Sequence, residues 1–480
     1  MDYQKITPKL IKKIEEIVDR KNILMHPEDI EPYCHDETPG LNFPPELVVR
    51  VKNHTQVAQL LEFCNKEKIP ITPRGGGTGL TGGAVPLKGG IVVSFEKMDR
   101  IKDIDAKNYM VVLEPGVING TLQRELAREG LFYPVNPASL DSCTIGGNVA
   151  EASSGANAVK YGGTKEYVSG LEAALPSGEV IKSGGKLVKN VTDYRLIQLL
   201  VGSEGTLAAI TEITLKVIPL PEVRIDLIAG LNKLSSIENI LHKIWKRKII
   251  PASIEYIDEA AVRITRDYVQ EAPSLPDCSH YIIIGVDGRE EEVNRDMETL
   301  DEIFTEEGIQ DVLVAGDRQD QDKLWKFRQS VRDALVHSGS MMVEEDMVVP
   351  RSRIIEFMEK SKKVYRNCNI KTAIYGHLGD GNLHYNFIKT SPGEKEWEQK
   401  VEKVLDRLLR MAIFCGGKIS GEHGIGLTKK KYLPLVINKA EFELMKKTKI
   451  AFDPNNILNP GKIFDCEKKN GYLESENSQY

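Results

Sequence analysis

No Cys-x-x-Cys pair occurs among the seven cysteines, at positions 34, 64, 143, 278, 368, 415 and 466, so neither an iron–sulfur cluster nor an evident disulfide framework is indicated. Reduced thiols in a cytoplasmic protein are the expectation. No run approaches ~20 apolar residues, the length needed to span a bilayer. The stretch from Met1 to Asp29 mixes Lys, Asp and Glu, unlike the apolar core of a signal peptide or the acid-poor composition of a transit peptide. No Lys/Arg block is long enough to track phosphates, and a net charge of −6 with a pI near 6.0 argues against a nucleic-acid partner. What is present, 28% charged and 41% hydrophobic residues over 480 positions, is an ordinary globular composition in a chain too long for one core. Two or three domains are expected.

Glycine is not scarce, and it is concentrated. Six glycines fall within the nine positions Gly75–Gly83, inside Pro73-Arg74-Gly75-Gly76-Gly77-Thr78-Gly79-Leu80-Thr81-Gly82-Gly83-Ala84-Val85-Pro86. Backbone without Cβ atoms can take φ > 0 and turn its N–H groups toward an anion, so the stretch reads as a diphosphate cradle. Gly77-x-Gly79-x-x-Gly82 formally satisfies the dinucleotide fingerprint, but that fingerprint opens a helix, and here Gly83, Pro86, Gly89 and Gly90 follow. No Gly-Lys-Ser/Thr closes a Walker loop either. Alone, the stretch is equally well a glycine-rich turn. A second segment adds weight: Asn136-Pro137-Ala138-Ser139 leads into Ser142-Cys143-Thr144-Ile145-Gly146-Gly147-Asn148 and Ser153-Ser154-Gly155, small polar residues suited to wrapping a polar cofactor.

With these two segments the chain, over roughly residues 40 to 465, resembles the FAD-binding oxidoreductases of the vanillyl-alcohol oxidase/p-cresol methylhydroxylase superfamily. Within it, the chain is most similar to the group holding glycolate oxidase's flavoprotein subunit, D-lactate dehydrogenase and D-2-hydroxyglutarate dehydrogenase. The resemblance implies that Pro73, Arg74, Gly75, Gly76, Gly77, Thr78, Gly79, Leu80 and Gly82 bind the FAD pyrophosphate. It implies that Pro137, Ser139, Ser142, Cys143, Thr144, Gly146, Gly147, Asn148, Ser154 and Gly155 run along the flavin. Gly205, in Gly202-Ser203-Glu204-Gly205-Thr206, and Ile210 then approach the adenosine side, and Asn459 completes the cofactor set. Relatives that attach FAD covalently often use a His in the first loop. This loop has neither His nor Cys, so dissociable FAD is expected.

Apolar spacing orders the remainder. Leu10, Ile11, Ile14 and Ile17 predict a short amphipathic helix over Lys9 to Asp19. A β-α-β entry follows, with Leu47 to Val51, a helix Thr55 to Lys66 and Ile69-Pro70-Ile71 running into the glycine loop. Strands are expected at Ile91–Phe95, Met110–Leu113, Leu171–Leu175 and Thr211–Val217, and a helix at Leu122–Arg128. After Pro219-x-Pro221 two longer β-α units lack glycine loops and suggest an antiparallel sheet backed by helices. The expected fold is α+β: a two-part FAD-binding domain of the p-cresol methylhydroxylase type plus an antiparallel-sheet cap domain with helices, the substrate at the junction. The expected boundaries are an N-terminal helical extension at 1–40, the FAD domain at 41–221, the cap at 222–415, a segment returning to the FAD domain at 416–465, and a polar tail at 466–480.

The last quarter carries the chemistry. Ala373-Ile-Tyr-Gly-His377-Leu-Gly-Asp380-Gly381-Asn-Leu-His384-Tyr-Asn386 reads as strand, turn, strand, with Asp-Gly a strong hairpin signal. With Asp380-Gly381 as the two central residues His377 faces His384, close enough for both imidazoles to bind one metal, and Asn386 shares the face of His384. Two strand histidines alone are more often half-buried polar residues. Ser420-Gly421-Glu422-His423-Gly424 adds a carboxylate and an imidazole in a glycine-flanked loop, and two His with one Glu suit Zn²⁺, Mn²⁺ or Fe²⁺ with open positions.

The resemblance implies His377, His384 and Glu422 as metal ligands, Asn386 as a substrate contact and His423 as the base beside the flavin. A 2-hydroxy acid can chelate a divalent ion, which lowers its hydroxyl pKa, and an imidazole can take the proton as the α-hydride leaves for the flavin. Arg328 matches the family's carboxylate-binding arginine; without the match it reads as a solvated helix charge. Where 2-hydroxyglutarate enzymes carry a Lys, this chain has Glu344 and Glu345, which would repel a second carboxylate. The expected activity is FAD-dependent dehydrogenation of a small D-2-hydroxy acid, D-lactate before glycolate. The electrons are expected to pass to a protein partner, an electron-transferring flavoprotein or an iron–sulfur subunit, in some members with bifurcation to NAD. Alternatives are a D-2-hydroxyglutarate dehydrogenase, a non-redox FAD alkyl transferase of the alkyldihydroxyacetonephosphate synthase kind, and a carrier subunit with no substrate of its own.

Overall fold

The structure, a computed structural model, describes residues 3–338, 342–389 and 394–465, with backbone alone at 394–395, 467–469 and 472–474. Most of the tail from residue 466 lies outside the described residues. The chain forms two compact units. One holds Met1–Ser154, Gly163–Leu220 and Glu422–Tyr480; the other holds Gly155–Gly162 and Pro221–Gly421.

In the first unit, strands Leu47–Arg50, Ile91–Ser94 and Ile71–Arg74 lie parallel in a four-stranded sheet. Helix His54–Glu67 covers it. Asn53 caps this helix by accepting from the Gln56 N–H at 3.0 Å, and Lys68 ends it in the left-handed region at φ 56°. Val57, Leu60, Leu61 and Cys64 face inward onto Val49, Ile71, Ile91 and Val93, joined by Leu10 and Ile14 of helix Pro8–Ile17. Each such buried aliphatic side chain stabilises the fold by roughly 1.5–3 kcal/mol. The segment near the C-terminus completes this core: Leu458 bridges Ile71 in parallel, and Asp453 accepts from the N–H groups of Ile457 and Leu458 while gripping Lys449 at 2.6 Å. A second, five-stranded sheet is antiparallel throughout, in the order Ile101–Asp105, Met110–Leu113, Ala209–Lys216, Val168–Ala174, Val180–Gly184. No helix follows strand Ile71–Arg74 before Asn119–Arg128, so the glycine stretch opens a loop and not a Rossmann helix.

The other unit is built on a seven-stranded sheet whose pairs are all antiparallel. Its order is Val312–Ala315, Val223–Leu231, His280–Gly288, Ser253–Asp258, Lys371–His377, Asn382–Ile388, Met342–Val348. Central strands are buried on both faces. One face packs Ile228, Ile257 and Ile283 against Leu324, Phe327, Val331 and Leu335 of helices Arg318–Gln329 and Val331–His337. Along that same face, at the end where Lys371–His377 and its hairpin partner lie, apolar residues give way to imidazole, carboxylate and guanidinium groups.

Candidate functional site

In the first unit the two small-residue segments abut. A Cβ at Gly75 would collide with Thr144 Oγ1, and one at Gly76 with the Ser142 carbonyl, so this close approach requires glycine at both positions. Thr144 meanwhile caps helix Ile145–Glu151 by accepting from the Gly147 N–H at 3.2 Å. Arg74 packs its guanidinium against Gly77 and donates to the carbonyls of His35 and Pro32 at 2.7 and 2.8 Å, fixing the stem of the loop. Asn459 ties the far end by donating to the carbonyls of Gly83 and Glu204 at 2.9 and 2.8 Å. The result is a glycine backbone anchored at both ends, whose lack of side chains lets a diphosphate approach closely.

The loop after Gly421 is sewn to this cradle. Thr81 Oγ1 donates to the His423 carbonyl at 3.2 Å, the Leu427 N–H donates to the Thr81 carbonyl at 2.7 Å, and the N–H groups of Ile425 and Gly426 each donate to Glu204 at 2.7 Å. Glu204 is therefore an anchor for the His423 loop, a role its place in Gly202–Thr206 did not reveal. Glu151 lies close by, with burial and the charges of Glu204 and Asp36 pushing its carboxyl well above the usual range. Burial likewise draws Lys462 down to about 8 as its ammonium donates to the Val85 carbonyl at 2.5 Å.

In the other unit the histidine hairpin departs from the expected register. Tyr375, and not His377, faces His384, and His377 faces Asn382. The cause is the turn. Leu378 is buried and starts a short 3₁₀ turn over Leu378–Asp380, and Gly381 closes it at φ 78°, so the connection is longer than a two-residue Asp-Gly turn. The shift is by two positions and preserves the face. His377 and His384 become diagonal neighbours whose rings meet edge to face with centroids 5.5 Å apart. Asn386 sits on that face, fully buried.

Around the two imidazoles is a continuous frame. Glu255, 1% exposed on strand Ser253–Asp258, accepts from His377 Nδ1 at 2.7 Å and pairs through its other oxygen with Arg328 at 2.6 Å. Arg328 lies over the Tyr375 ring at 4.9 Å, and that ring stacks on His384 with centroids 5.0 Å apart. The Tyr375 hydroxyl donates to Glu344 at 2.9 Å, and Arg332 Nε donates to the same carboxylate at 2.9 Å. Burial opposes the charge on Glu255, but His377 and Arg328 hold its carboxyl below the usual value; burial, then Glu344, pushes Tyr375 well up. Arg328 is thus buried, not a solvated helix charge. Among the described residues its Nε has no hydrogen-bond partner, and neither has Asn386 Oδ1.

This geometry corrects the expectation that Glu344 and Glu345 jointly repel a dicarboxylate. Alternation sends them to opposite faces, Glu344 beside Asn386 and Glu345 beside Tyr385, and the one on the site's face is matched by Arg332. Sequence reading also missed Glu255, Tyr375 and Arg332. A carboxylate in the middle of Ser-Ile-Glu-Tyr-Ile-Asp, a strand flanked by apolar residues, was the available signal for the first.

Residues 220–463 match the family model described as FAD linked oxidases, C-terminal domain, and residues 45–184 match the FAD binding domain model. The chain is 38% identical over 440 residues to the glycolate oxidase subunit GlcD of Bacillus subtilis (strain 168), covering 91% of this chain and 93% of that one. It is 36% identical to D-lactate dehydrogenase of Anaerostipes hadrus, covering 96% and 98%. Among solved structures, p-cresol methylhydroxylase with substrate bound superposes with a TM-score of 0.76 at 18% identity, covering 96% of this chain and 98% of that one, a likeness of fold.

Proposed function

This chain belongs to the FAD-linked oxidases, as an FAD-linked oxidoreductase of the glycolate oxidase subunit, D-lactate dehydrogenase and D-2-hydroxyglutarate dehydrogenase group, and we propose that it oxidises a small D-2-hydroxy acid, D-lactate before glycolate, to the 2-oxo acid. The observation that carries the choice of substrate class is two buried polar atoms beside this sheet face, one on a helix and one on a strand. Arg328 Nε is a donor and Asn386 Oδ1 an acceptor without partners among the described residues, each costing ~1–3 kcal/mol while unmet. A carboxylate satisfies the first and an adjacent hydroxyl the second. Arg332, four residues after Arg328 at the start of the next helix, is already engaged by Glu344, which favours a substrate with one carboxylate.

FAD supplies the hydride acceptor when bound, and its diphosphate suits the Gly75–Gly83 cradle. A divalent cation held by His377, His384 and Glu422 would polarise the hydroxyl oxygen of the substrate. The protein's own part is to grip the carboxylate with Arg328, to orient the hydroxyl with Asn386, and to accept the hydroxyl proton on the imidazole of His423. Burial of this face keeps bulk water from competing for those contacts.

Anaerobic addition of D-lactate is expected to bleach the flavin, faster than glycolate and much faster than D-2-hydroxyglutarate. Fastest reduction by D-2-hydroxyglutarate would reassign the substrate, and no reduction by any 2-hydroxy acid would favour the non-redox alkyl transferase. Acid precipitation is expected to release the flavin into the supernatant, since the cradle offers neither His nor Cys; flavin in the pellet would refute this. For reoxidation the chain has no glycine fingerprint that opens a helix and no iron–sulfur cysteine motif, so the electrons go to a partner, an electron-transferring flavoprotein before an iron–sulfur subunit, with bifurcation to NAD⁺ as the furthest extension. The isolated protein should reduce an artificial dye with D-lactate but not NAD⁺. Rapid NAD⁺ reduction or oxygen consumption by the chain alone would remove the partner from the proposal.

A further inference from the structure

Glu255 lies on a central strand of the seven-stranded sheet, neighbour to the strand that carries His377, and its carboxylate touches Nδ1 of that ring at 2.7 Å. An ionised carboxylate can only accept, so at this distance Nδ1 must carry the proton. In the neutral ring the lone pair then belongs to Nε2. The carboxylate is held in turn: Arg328 pairs with its second oxygen at 2.6 Å and rests on the Tyr375 ring, which also stacks on His384. The five side chains make a closed frame, because His384 meets His377 edge to face. Both imidazoles are therefore fixed by one ionic clamp, one through a hydrogen bond and one through its ring.

We propose that Glu255 is a positioning residue that holds His377 as the Nδ1–H tautomer and presents its Nε2 to a divalent cation, with Arg328 keeping Glu255 in place. This rests on the reading of His377 and His384 as metal ligands given above. Carboxylates that orient metal-binding histidines in this way change metal affinity by ~10–100-fold when removed. The frame also gives Arg328 two faces: one guanidinium nitrogen serves Glu255, while Nε is the buried donor assigned to the substrate carboxylate.

The test uses the full flavin-loaded chain, stripped of metal with a chelator. Titration with Zn²⁺ against a chromophoric chelator is expected to show ~10–100-fold weaker binding in Glu255→Ala. Glu255→Gln, which keeps an acceptor oxygen, should fall between that variant and wild type, with flavin content unchanged in both as the control for folding. Long-range ¹H–¹⁵N spectra of the metal-free protein, with His377 assigned from a His377→Asn variant, should show Nδ1–H in wild type and in Glu255→Gln, and loss of that tautomer in Glu255→Ala. Zn²⁺ binding that needs His377 but is unchanged in both Glu255 variants overturns the inference and leaves the metal reading standing. An Nε2–H tautomer in wild type overturns it as well. Wild-type protein that takes up no Zn²⁺ overturns both.

Discussion

Replacing His423 with alanine is expected to slow flavin reduction by D-lactate by ~10²–10⁴-fold, the span typical of a lost general base, with D-lactate still binding. The structure makes this a clean experiment. The backbone of the loop is fixed without the imidazole, by Thr81 on the His423 carbonyl, by the Leu427 N–H on Thr81, and by Glu204 on the N–H groups of Ile425 and Gly426. Glu204 accepts two short backbone hydrogen bonds, at 2.7 Å each, so truncating the His423 side chain leaves the loop anchored to the cradle. The imidazole itself is largely enclosed, 11% exposed, with Nε2 3.8 Å from Glu422. Stopped-flow reduction across a range of D-lactate concentrations separates the two possible losses. A slower limiting rate at unchanged apparent affinity assigns the proton to His423. A loss confined to affinity would move the residue to substrate binding and leave the base unidentified.

What was visible in the sequence, and what was not, divides by range. The glycine cradle and the Ser142–Asn148 stretch announce themselves by local composition, since only small residues permit the approach of Gly75 and Gly76 to Thr144 and Ser142. The antiparallel character of the sheet after Pro221 followed from strands without glycine loops, but its order is set by pairings between strands far apart in the chain, which no window of sequence contains. The hairpin register is hidden from local sequence for a similar reason. Asp380-Gly381 is a good two-residue turn in isolation, yet Leu378 leaves the ladder, is buried at the start of a 3₁₀ turn, and the connection lengthens with it. Counter-charges are the least legible of all. Glu344 looks like an obstacle to anions until Arg332 is seen against it, and Glu255 looks like one polar residue in a strand until His377 and Arg328 close on it. A buried charge is explained by its partners, and those come from other elements.

The second large effect concerns the metal. His384→Ala is expected to lower divalent metal from about one ion per chain to a trace and to depress turnover by more than ~10²-fold, while FAD stays bound. His377→Ala and Glu422→Ala should do the same. FAD is expected to survive because the cradle is built from Arg74, Thr144 and Asn459 in the first unit, whereas His377 and His384 stand on one hairpin of the other, and Glu422 lends only a side chain to a loop whose backbone Thr81 and Glu204 hold. His384 is the more telling substitution of the two, because its ring is 3% exposed and packs flat on Tyr375, so alanine leaves a cavity as well as an absent ligand. That cavity costs stability on its own, of the order of ~2–4 kcal/mol for a large buried side chain. His384→Asn, a smaller loss of volume without the imidazole, controls for it: metal depletion should be equal in the two variants even where their melting temperatures differ. Elemental analysis and the flavin spectrum on the same samples read both quantities. If metal content is unchanged in all three ligand variants, the imidazoles are polar members of the Glu255 frame and nothing more, and the hydroxyl of the substrate must be oriented by Asn386 and deprotonated by His423 alone.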